Sequence, residues 1–451
     1  MDKLIKDKNR VFLKGNIPAE YTESYYMQIN PNIEAVFKPV NKEEVSSIVK
    51  YCYENNLEFV VRGSGTGAAG SQFTTVDNQV IIDLTLMDKI IGFDEETLTL
   101  TVEPGVHLGT VQEFFENKPY FYPPDPGAKN STIGGNVATN AGGMRAVKYG
   151  VTRDYVKSIE VVLPTGEIAT FGSLNVKDAS GYNLKDLIIG SEGTLAIITK
   201  IELGVVPRPK YSKSMVLAFE ELKDATNTVL NILNDGFDPT ALELFDRETI
   251  VYSEKFLKEK FASQKGNALI IASFDSHDEE TLNDTLKDVK EKYEKETLEL
   301  IVLETKEEEK LAWSLRDNIL YALMQFTQYE MLDEVVPINR FAEMIEYTNY
   351  LSNKYDMTIL NFGHAGDGNI HTLLLREDKS DELWLDTKKK VLDDLYTKVY
   401  QLGGLISAEH GVGYMKRDYF LKHTDPIKIE VMRAIKKAFD PKYLLNPNKV
   451  I

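Results

Sequence analysis

The stretch PPDPGAKNSTIGGNVATNAGG, residues 123–143, decides how the first half of this chain is interpreted. It holds too many glycine, asparagine and threonine residues for a packed strand. A surface loop of about 20 residues that has no function is uncommon in a compact domain. Small donors and bare backbone amides come from Ser131, Thr132, Gly134, Gly135, Asn136, Asn140, Gly142 and Gly143. The stretch therefore predicts a binding site for an extended polar ligand.

Two other glycine-rich segments share this character. Arg62-Gly63-Ser64-Gly65-Thr66-Gly67 follows an apolar run, and Gly190-Ser191-Glu192-Gly193-Thr194-Leu195 leads into one. Glycine directly after a strand lets the backbone turn tightly and direct N–H groups at an anion. Each segment alone is a weak signal, because some such runs are plain turns. The first is not the common dinucleotide fingerprint, since no third glycine opens a periodic helix with an acidic residue about 20 positions on.

The composition narrows the classes of function. The chain has 451 residues, enough for two or three domains with cores of their own. Its formal net charge is −18, and because binding to a phosphate backbone needs clustered lysine and arginine, we expect no nucleic-acid partner. No run reaches the roughly 18 apolar residues of a membrane span, and the N-terminus lacks a signal-peptide pattern. We therefore expect a cytoplasmic protein without a membrane span.

The order of predicted elements indicates an α+β protein with a boundary near Pro207 and Pro209. Asn41 is predicted to begin a helix, in which the single cysteine, Cys52, is expected to be a buried thiol. Strands are predicted at 57–61, 80–84, 97–103, 159–163, 168–171, 195–203, 215–219, 268–274 and 298–304. Helices are predicted at 222–234, 278–295, 306–326, 340–354, 380–402 and 426–439. After residue 210 the β-α-β order favours an α/β or α+β sandwich.

Three of the six histidines fall in two glycine-flanked motifs. The first motif is Asn361-Phe362-Gly363-His364-Ala365-Gly366-Asp367-Gly368-Asn369-Ile370-His371, and the second is Ser407-Ala408-Glu409-His410-Gly411. The glycines exclude a helix, so a loop or a bulged strand is expected to bring His364 and His371 together. A lone histidine is more often a hydrogen-bonded core residue. Two imidazoles and a carboxylate instead suit zinc, manganese or iron(II).

The three glycine-rich segments, in this order and spacing, resemble the FAD-binding domain of the vanillyl-alcohol-oxidase/para-cresol-methylhydroxylase (PCMH) type. Within that type the chain is most similar to the branch of the glycolate oxidase flavoprotein subunit and the D-lactate dehydrogenases. The resemblance implies a two-part FAD-binding domain, a ferredoxin-like α/β-sandwich cap domain for the substrate and a C-terminal helical segment. The domain bounds expected on this basis are 1–208, 209–405 and 406–451, with the last segment returning to the FAD domain.

The resemblance also implies which residues bind FAD. It implies non-covalent binding, because the first loop has no histidine for a covalent link. Residues 62–67 are expected to hold the pyrophosphate, and 131–143 with Ile198 to line the flavin. The full expected set is Arg62, Gly63, Ser64, Gly65, Thr66, Gly67, Pro124, Asp125, Ser131, Thr132, Gly134, Gly135, Asn136, Asn140, Gly142, Gly143, Glu192, Gly193, Ile198 and Asn446.

For the chemistry, the resemblance implies that His364, His371 and Glu409 bind a divalent metal and that His410 is the base. A metal-bound hydroxyl loses its proton more readily, and a neutral imidazole is suited to accept that proton while hydride passes to the flavin. Arg316, in a Trp-x-x-Arg context, is expected to bind the substrate carboxylate. The competing interpretation is a surface arginine whose stem covers the apolar stripe of its helix.

Two positions depart from the family pattern. Relatives that act on larger dicarboxylates carry a lysine where this chain has Met331, which favours lactate or glycolate over 2-hydroxyglutarate. The closing Asn446-Pro447-Asn448-Lys449 has Asn448 where the family has glycine. Because asparagine tolerates left-handed geometry, we expect that turn to be kept.

The electrons must leave through another molecule, because one cysteine cannot form a four-thiolate iron–sulfur site. The resemblance implies a redox partner protein, either electron-transferring flavoprotein, which we favour, or an iron–sulfur subunit. A homodimer is left open. D-2-hydroxyglutarate oxidation, flavin-dependent alkyl transfer in ether-lipid synthesis and a non-catalytic flavin-binding subunit are the rival functions.

Overall fold

The computed structural model describes residue 1, residues 3–23 and residues 31–451, which divide into two compact units. Unit 1 consists of Met1–Gly142, Val151–Pro207 and Glu409–Ile451, and unit 2 of Gly143–Gly150 and Arg208–Ala408. Among these described residues, none of the helices combines the length and the apolar run that crossing a membrane requires.

The strands are numbered in chain order. They are β1 (Val11–Leu13), β2 (Ala35–Phe37), β3 (Phe59–Arg62), β4 (Val80–Asp83), β5 (Ile90–Asp94), β6 (Thr99–Val102), β7 (Tyr120–Phe121), β8 (Val156–Val162), β9 (Ile168–Gly172), β10 (Ile197–Gly204), β11 (Val206–Pro207), β12 (Tyr211–Phe219), β13 (Ala241–Asp246), β14 (Ala268–Ser276), β15 (Glu299–Val302), β16 (Tyr329–Met331), β17 (Glu334–Val335), β18 (Ile359–His364) and β19 (Asn369–Leu375).

The α-helices are numbered in the same way. They are α1 (Lys42–Glu54), α2 (Leu108–Phe114), α3 (Ile133–Thr139), α4 (Ala146–Tyr149), α5 (Thr152–Tyr155), α6 (Leu184–Ile188), α7 (Leu222–Asn234), α8 (Arg247–Leu257), α9 (Glu279–Tyr293), α10 (Lys306–Asp317), α11 (Ile319–Phe326), α12 (Phe341–Tyr355), α13 (Asp381–Gln401), α14 (Arg417–His423) and α15 (Pro426–Phe439). Short 3-10 turns lie at Lys8–Arg10, Ala19–Tyr21, Glu294–Glu296 and Ile338–Arg340.

Unit 1 contains two main sheets. The first has the strand order β1-β2-β4-β3, in which β2, β4 and β3 are parallel neighbours. The second is antiparallel, with the order β5-β6-β10-β8-β9, and includes the predicted β8–β9 hairpin. Helix α1 begins as predicted, because the Asn41 side chain accepts from the backbone N of Glu44 at 2.9 Å. Its stripe packs on β2, β3 and β4, where Cys52 is fully buried and burial raises the pKa of its thiol to about 12.

Unit 2 is built on one antiparallel sheet with the order β15-β12-β14-β13-β18-β19-β16, and β17 pairs with the other end of β19. One face carries the apolar residues Phe245, Phe362 and Leu373, against which α8, α10 and α11 pack. Helices α7, α9 and α12 contact the same sheet through β12, β14 and β18. Side chains two positions apart on a strand point to the same face of the sheet. Glu243, His364 and His371 are each two positions from one of these three residues, so they lie on the sheet face that α8, α10 and α11 cover.

Two expectations about local structure were wrong. The helix predicted over 306–326 is interrupted at Asn318, whose side chain donates to the carbonyl of Ser314 at 2.8 Å and so competes with the helical bonds. The first histidine motif is neither a loop nor a bulged strand. It is a hairpin in which β18 and β19 pair in regular register and residues 365–368 form the turn. The remaining predicted strands and helices are confirmed to within a few residues.

Candidate functional site

A cleft in unit 1 is lined by the three glycine-rich segments. It encloses about 900 Å³ of space between protein atoms, including its opening to solvent. The predicted residues that line it are Gly63, Ser64, Gly65, Thr66, Gly67, Ser131, Thr132, Gly134, Gly135, Asn136, Glu192, Gly193, Ile198 and Asn446. Segments that are far apart in the sequence thus meet around one cavity of the size that small-molecule sites have.

Other members of the predicted set lie outside this lining. The Arg62 guanidinium stacks on the rings of Tyr21 and Phe73, at 5.1 and 5.5 Å from their centroids. Asp125 accepts from Gln112 Nε2 at 2.7 Å, and Asn140 ends α3 and accepts from the backbone of Arg153. The other three are Pro124 and Gly142 in unit 1 and Gly143 in unit 2.

The cleft has the properties expected of a dinucleotide cofactor site. Within the described part of the chain, Ser131 Oγ, Asn136 Nδ2 and Ser191 Oγ are buried and have no hydrogen-bond partner. Because buried polar atoms are nearly always paired, these three indicate a polar ligand. The backbone also runs close: a Cβ added to Gly134 would lie 2.6 Å from Pro104 Cβ. These residues fit FAD, whose pyrophosphate and flavin need many donors along an extended groove.

The C-terminal segment closes one side of the cleft through Glu192 and Asn446. Asn446 donates from Nδ2 to the Glu192 carbonyl at 2.9 Å and accepts from the Val61 backbone N at 3.0 Å. The Glu192 carboxylate accepts from the backbone N–H groups of Val412 and Gly413 at 2.7 and 2.8 Å. Burial raises the pKa of Glu192, although these donors favour its ionised form. The segments 190–195 and 446–449 are therefore joined directly by a hydrogen bond on one side of the cleft.

The closing turn of the chain keeps the geometry expected of it. Asn448 is in the left-handed region with φ of 62°. Lys449 is buried and donates to the carbonyls of Ser71 and Phe73 at 3.0 and 2.7 Å. Desolvation lowers the pKa of Lys449 to about 7. The tail is thus fastened beside the first glycine-rich segment.

In unit 2 the β18–β19 hairpin places the two motif histidines side by side. The ring centroids of His364 and His371 are 5.2 Å apart and the rings are nearly perpendicular, at 86°. The Phe362 ring lies 4.9 Å from the ring of His371 and 5.6 Å from Arg316 Cζ. The hairpin and α10 therefore bring both histidines and Arg316 to one face of one sheet.

The sequence reasoning did not identify Glu243, which is 1% exposed in the middle of β13. Its Oε1 lies 2.6 Å from His364 Nδ1, and its Oε2 accepts from Arg316 Nε at 2.8 Å and also from Arg316 Nη2. Burial acts to raise the pKa of Glu243, but Arg316 and His364 outweigh it and hold the pKa below the usual range. A signal was present, since one acidic residue interrupts the apolar run Ala241-Leu242-Glu243-Leu244-Phe245.

Asp333 is a second residue that the sequence reasoning did not identify. It is fully buried, and its Oδ1 accepts from Asn369 Nδ2 at 3.1 Å and lies 3.9 Å from His371 Nδ1. Its Oδ2 accepts from Ser407 Oγ at 2.7 Å and from the backbone N of Ala408 at 3.1 Å. Asp333 therefore ties the histidine hairpin to the two residues that precede Glu409 in the chain.

Glu409 and His410 begin the final segment of unit 1. A Cβ added to Gly142 would lie 2.9 Å from Glu409 Oε2, so this carboxylate packs on the end of the second glycine-rich segment. His410 Nε2 lies 3.8 Å from Glu409 Oε1, and its side chain is 21% exposed. Both side chains are thus held in the unit that contains the cleft.

Met331 ends β16 opposite Leu373, and it packs against the apolar cluster of unit 2. The side chain at this position is therefore uncharged and packed among apolar residues.

Models of two protein families match the chain. The FAD binding domain matches residues 33–172, and a model described as FAD linked oxidases, C-terminal domain, matches residues 208–450, more than half of the chain.

Individual proteins are similar over nearly the full length. The chain is 39% identical to a D-lactate dehydrogenase of Anaerostipes hadrus, with 98% of this chain and 94% of the relative covered. It is 37% identical to the glycolate oxidase subunit GlcD of Bacillus subtilis, with 97% and 92% covered.

A solved structure shares the fold at low sequence identity. The crystal structure of p-cresol methylhydroxylase with substrate bound superposes with a TM-score of 0.81 at 18% identity, covering all of this chain and 95% of the other. The predicted fold, an FAD-binding domain of this type beside a second domain that contains a sheet, is confirmed.

Proposed function

The chain belongs to the FAD-linked oxidases, and we propose that it oxidises a small D-2-hydroxy acid, D-lactate or glycolate, to the 2-oxo acid. The observation that carries the proposal is the common face of unit 2, on which the guanidinium of Arg316 lies over Phe362 beside His364 and His371. A cation for a carboxylate and nitrogen donors for a metal are the groups that a 2-hydroxy acid needs.

Arg316 is the proposed binding residue for the substrate carboxylate. Its side chain is 11% exposed, so an ion pair there is screened less than one at the surface. The planar guanidinium presents several donors in a fixed geometry that matches a carboxylate. Arg316 therefore anchors the acid end of the substrate and sets where the hydroxyl-bearing carbon lies.

His364, His371 and Glu409 are the proposed ligands of a divalent metal. Two imidazoles and one carboxylate with open positions are a donor set that zinc, manganese and iron(II) accept. A metal in such a set supplies a Lewis acid that makes a bound hydroxyl more acidic. The protein's role is to hold the ligand atoms in place, and the regular register of the β18–β19 hairpin supports this role for His364 and His371.

His410 is the proposed general base. It follows Glu409 directly, and its partly exposed ring can exchange a proton with solvent after accepting one from the substrate hydroxyl. FAD bound in the cleft supplies the acceptor for the two electrons that leave the α-carbon as hydride. Residues 62–70 include no histidine, so we propose that FAD is held without a covalent bond.

Met331 supports a substrate with one carboxylate. Its side chain packs with the apolar cluster, so that position offers no charge to a second carboxylate of the kind D-2-hydroxyglutarate carries. Met331→Lys should therefore improve kcat/KM for D-2-hydroxyglutarate relative to D-lactate. Met324→Lys, at a more exposed position on α11, is the matched control and should leave the ratio unchanged.

Electron-transferring flavoprotein is the proposed acceptor for the reduced flavin. Cys52 is the single cysteine and is buried, so the chain itself cannot hold a four-thiolate cluster. The purified enzyme should reduce oxygen far more slowly than its flavin is reduced by substrate. Oxygen reduction at the full substrate-driven rate would remove the need for a partner protein.

The first experiment mixes the FAD-loaded, metal-replete protein anaerobically with D-lactate, L-lactate, glycolate or D-2-hydroxyglutarate and follows the absorbance of oxidised flavin. D-lactate or glycolate should bleach the flavin, and a chelator should abolish the bleaching. Bleaching that survives chelation would remove the metal from the mechanism but keep the dehydrogenase. If none of the four acids bleaches bound FAD, the proposed substrate class is wrong.

A further inference from the structure

The carboxylate of Glu243 is buried where a glutamate is costly. It stands in the middle of β13, in register with His364 on β18 and with Ile271 on β14. Its chain neighbours are Leu242 and Leu244, and its exposed fraction is 1%. Burying a charge is unfavourable unless that charge is paired and hydrogen-bonded, so the partners of Glu243 must account for it.

Each oxygen of this carboxylate serves a different side chain. Oε1 lies 2.6 Å from His364 Nδ1, and Oε2 accepts from both Nε and Nη2 of Arg316, the first at 2.8 Å. The proposed function assigns His364 to the metal and Arg316 to the substrate carboxylate. One acid thus contacts both halves of the proposed chemistry.

The contact with His364 selects the nitrogen that can bind a metal. A carboxylate only accepts hydrogen bonds, so the nitrogen facing it carries the proton. With Nδ1 protonated toward Oε1, the lone pair of neutral His364 is on Nε2. A buried carboxylate behind a ligating histidine fixes its ring orientation and raises its basicity.

The contact with Arg316 holds the guanidinium plane. Two donors on one edge of Arg316 bond the same oxygen, while the Phe362 ring lies 5.6 Å from its Cζ. An edge bonded to Glu243 and a face set against an aromatic ring leave the side chain little freedom to rotate.

We propose, resting on the function proposed above, that Glu243 is a positioning residue that orients the metal ligand His364 and the carboxylate-binding Arg316 together. A glutamine at this position could serve only one of them, because one of its two terminal groups is a donor. That donor would face either Arg316 or the protonated Nδ1 of His364, and both are donors themselves. The dual contact therefore requires a carboxylate rather than a polar side chain of the same shape.

The test compares Glu243→Gln with Asp246→Asn. Both remove a carboxylate from the same strand, but among the described residues Asp246 accepts from the backbone and side-chain nitrogens of Asn361 and not from His364 or Arg316. Zinc affinity is measured by competition with a fluorescent chelator. KM and kcat are measured with D-lactate, and FAD content and thermal unfolding are recorded for each protein.

Glu243→Gln should weaken zinc binding by roughly 10–100-fold, as loss of a partner behind a metal ligand typically does. It should also raise KM for D-lactate by about tenfold, the scale of one charge-assisted hydrogen bond. FAD content should be unchanged, because the cleft is in unit 1. Asp246→Asn should alter neither zinc affinity nor KM.

An Arg316→Met background separates the two contacts. There Glu243→Gln should still weaken zinc binding but should no longer raise KM, because the side chain through which it acts on KM is gone. Wild-type zinc affinity and wild-type KM in Glu243→Gln, accompanied only by a loss of thermal stability, would reduce Glu243 to a structural residue. If the wild-type protein binds no zinc, the His364 half of the proposal is overturned. In that case the KM of Glu243→Gln for D-lactate still tests whether Glu243 positions Arg316, because this effect does not depend on the metal.

Discussion

The cleft of unit 1 and the histidine face of unit 2 are built in opposite ways. The cleft consists of glycines and small polar side chains, and Ser131, Asn136 and Ser191 leave buried polar atoms unpaired within the described chain. The histidine face consists of charged side chains that already pair with one another, with Glu243 bonded to Arg316 and His364. The cleft therefore leaves polar atoms for a ligand to pair with, whereas the side chains of the histidine face are held in place by a carboxylate of the protein itself.

Buried ion pairs follow the same division. In unit 1, Lys436 donates to Asp440 Oδ2 and to the carbonyls of Thr194 and Leu445, each at 2.7 Å. These contacts fasten α15 to the third glycine-rich segment, so the charge supports the wall of the cleft. In unit 2 the corresponding pair, Arg316 and Glu243, bears directly on residues assigned to chemistry. On the proposed function, the buried charge therefore supports stability in unit 1 and chemistry in unit 2.

The largest expected effect separates chemistry from cofactor binding. His410→Asn should lower the rate of flavin bleaching by D-lactate by roughly 10²–10⁴-fold, the usual contribution of a general base. FAD content should be unchanged, because His410 does not line the cleft. His277→Asn, at an exposed position in unit 2, is the control and should behave as the wild type. Bleaching at the wild-type rate in His410→Asn would remove it from the base role.

Lys436→Met tests the structural role of the ion pair in unit 1. It leaves Asp440 buried without its cation, so the free energy of unfolding should fall by about 3–5 kcal/mol. Chemical denaturation followed by circular dichroism measures this loss. FAD added in excess should recover part of the stability, because the affected segment forms the cleft wall. A change below 1 kcal/mol would mean that this charge does not support the wall.

Asp246→Asn tests a carboxylate of unit 2 that accepts hydrogen bonds from Asn361. Burial raises the pKa of Asp246 to about 7, although hydrogen bonds from Asn361 lower it. Because this pKa lies above the ordinary value, the folded state keeps a proton between about pH 4 and pH 7 that the unfolded state releases. Wild-type stability should therefore fall as pH rises through that window, by roughly 2–4 kcal/mol for a shift of this size.

Unfolding curves measured from pH 4 to pH 8 decide this prediction. Asp246→Asn should lack that part of the fall, so its stability relative to the wild type should rise with pH and then level off above about pH 7. Parallel pH profiles for the two proteins would show that Asp246 is ionised in the folded state as it is in the unfolded state.

Gly134→Ala is the smallest expected change and acts on the cleft alone. The added Cβ would lie 2.6 Å from Pro104 Cβ and 2.9 Å from its carbonyl oxygen, so α3 must shift. Overpacking of this kind costs about 1–3 kcal/mol, and FAD should dissociate more readily. Gly127→Ala in the same segment meets nothing within 4 Å and should keep wild-type FAD content. Equal FAD content in both variants would contradict the close approach of the backbone.

Much of the fold could be predicted because its signals are local. The Asn41 cap, the β8–β9 hairpin and the bounds of α7 follow from a few consecutive residues. The break at Asn318 could not be predicted, because the apolar stripe of the helix continues on both sides of it. The break goes with a hydrogen bond from the Asn318 side chain to the carbonyl of Ser314, which the stripe does not reveal. Strand β13 was not predicted, since Glu243 interrupts its apolar run.

What the sequence by itself determined is the family, the FAD cofactor and the contiguous motifs, because backbone geometry that a ligand requires is encoded by neighbouring glycines and small polar residues. Only the tertiary structure decided that Glu243 joins Arg316 and His364, which lie 73 and 121 residues away in the chain. It likewise decided that Asp333 anchors Ser407, 74 residues on. Pairing between distant charges leaves no periodic pattern in the sequence. The partners meet only once the strands have paired, and burial then requires each charge to be paired.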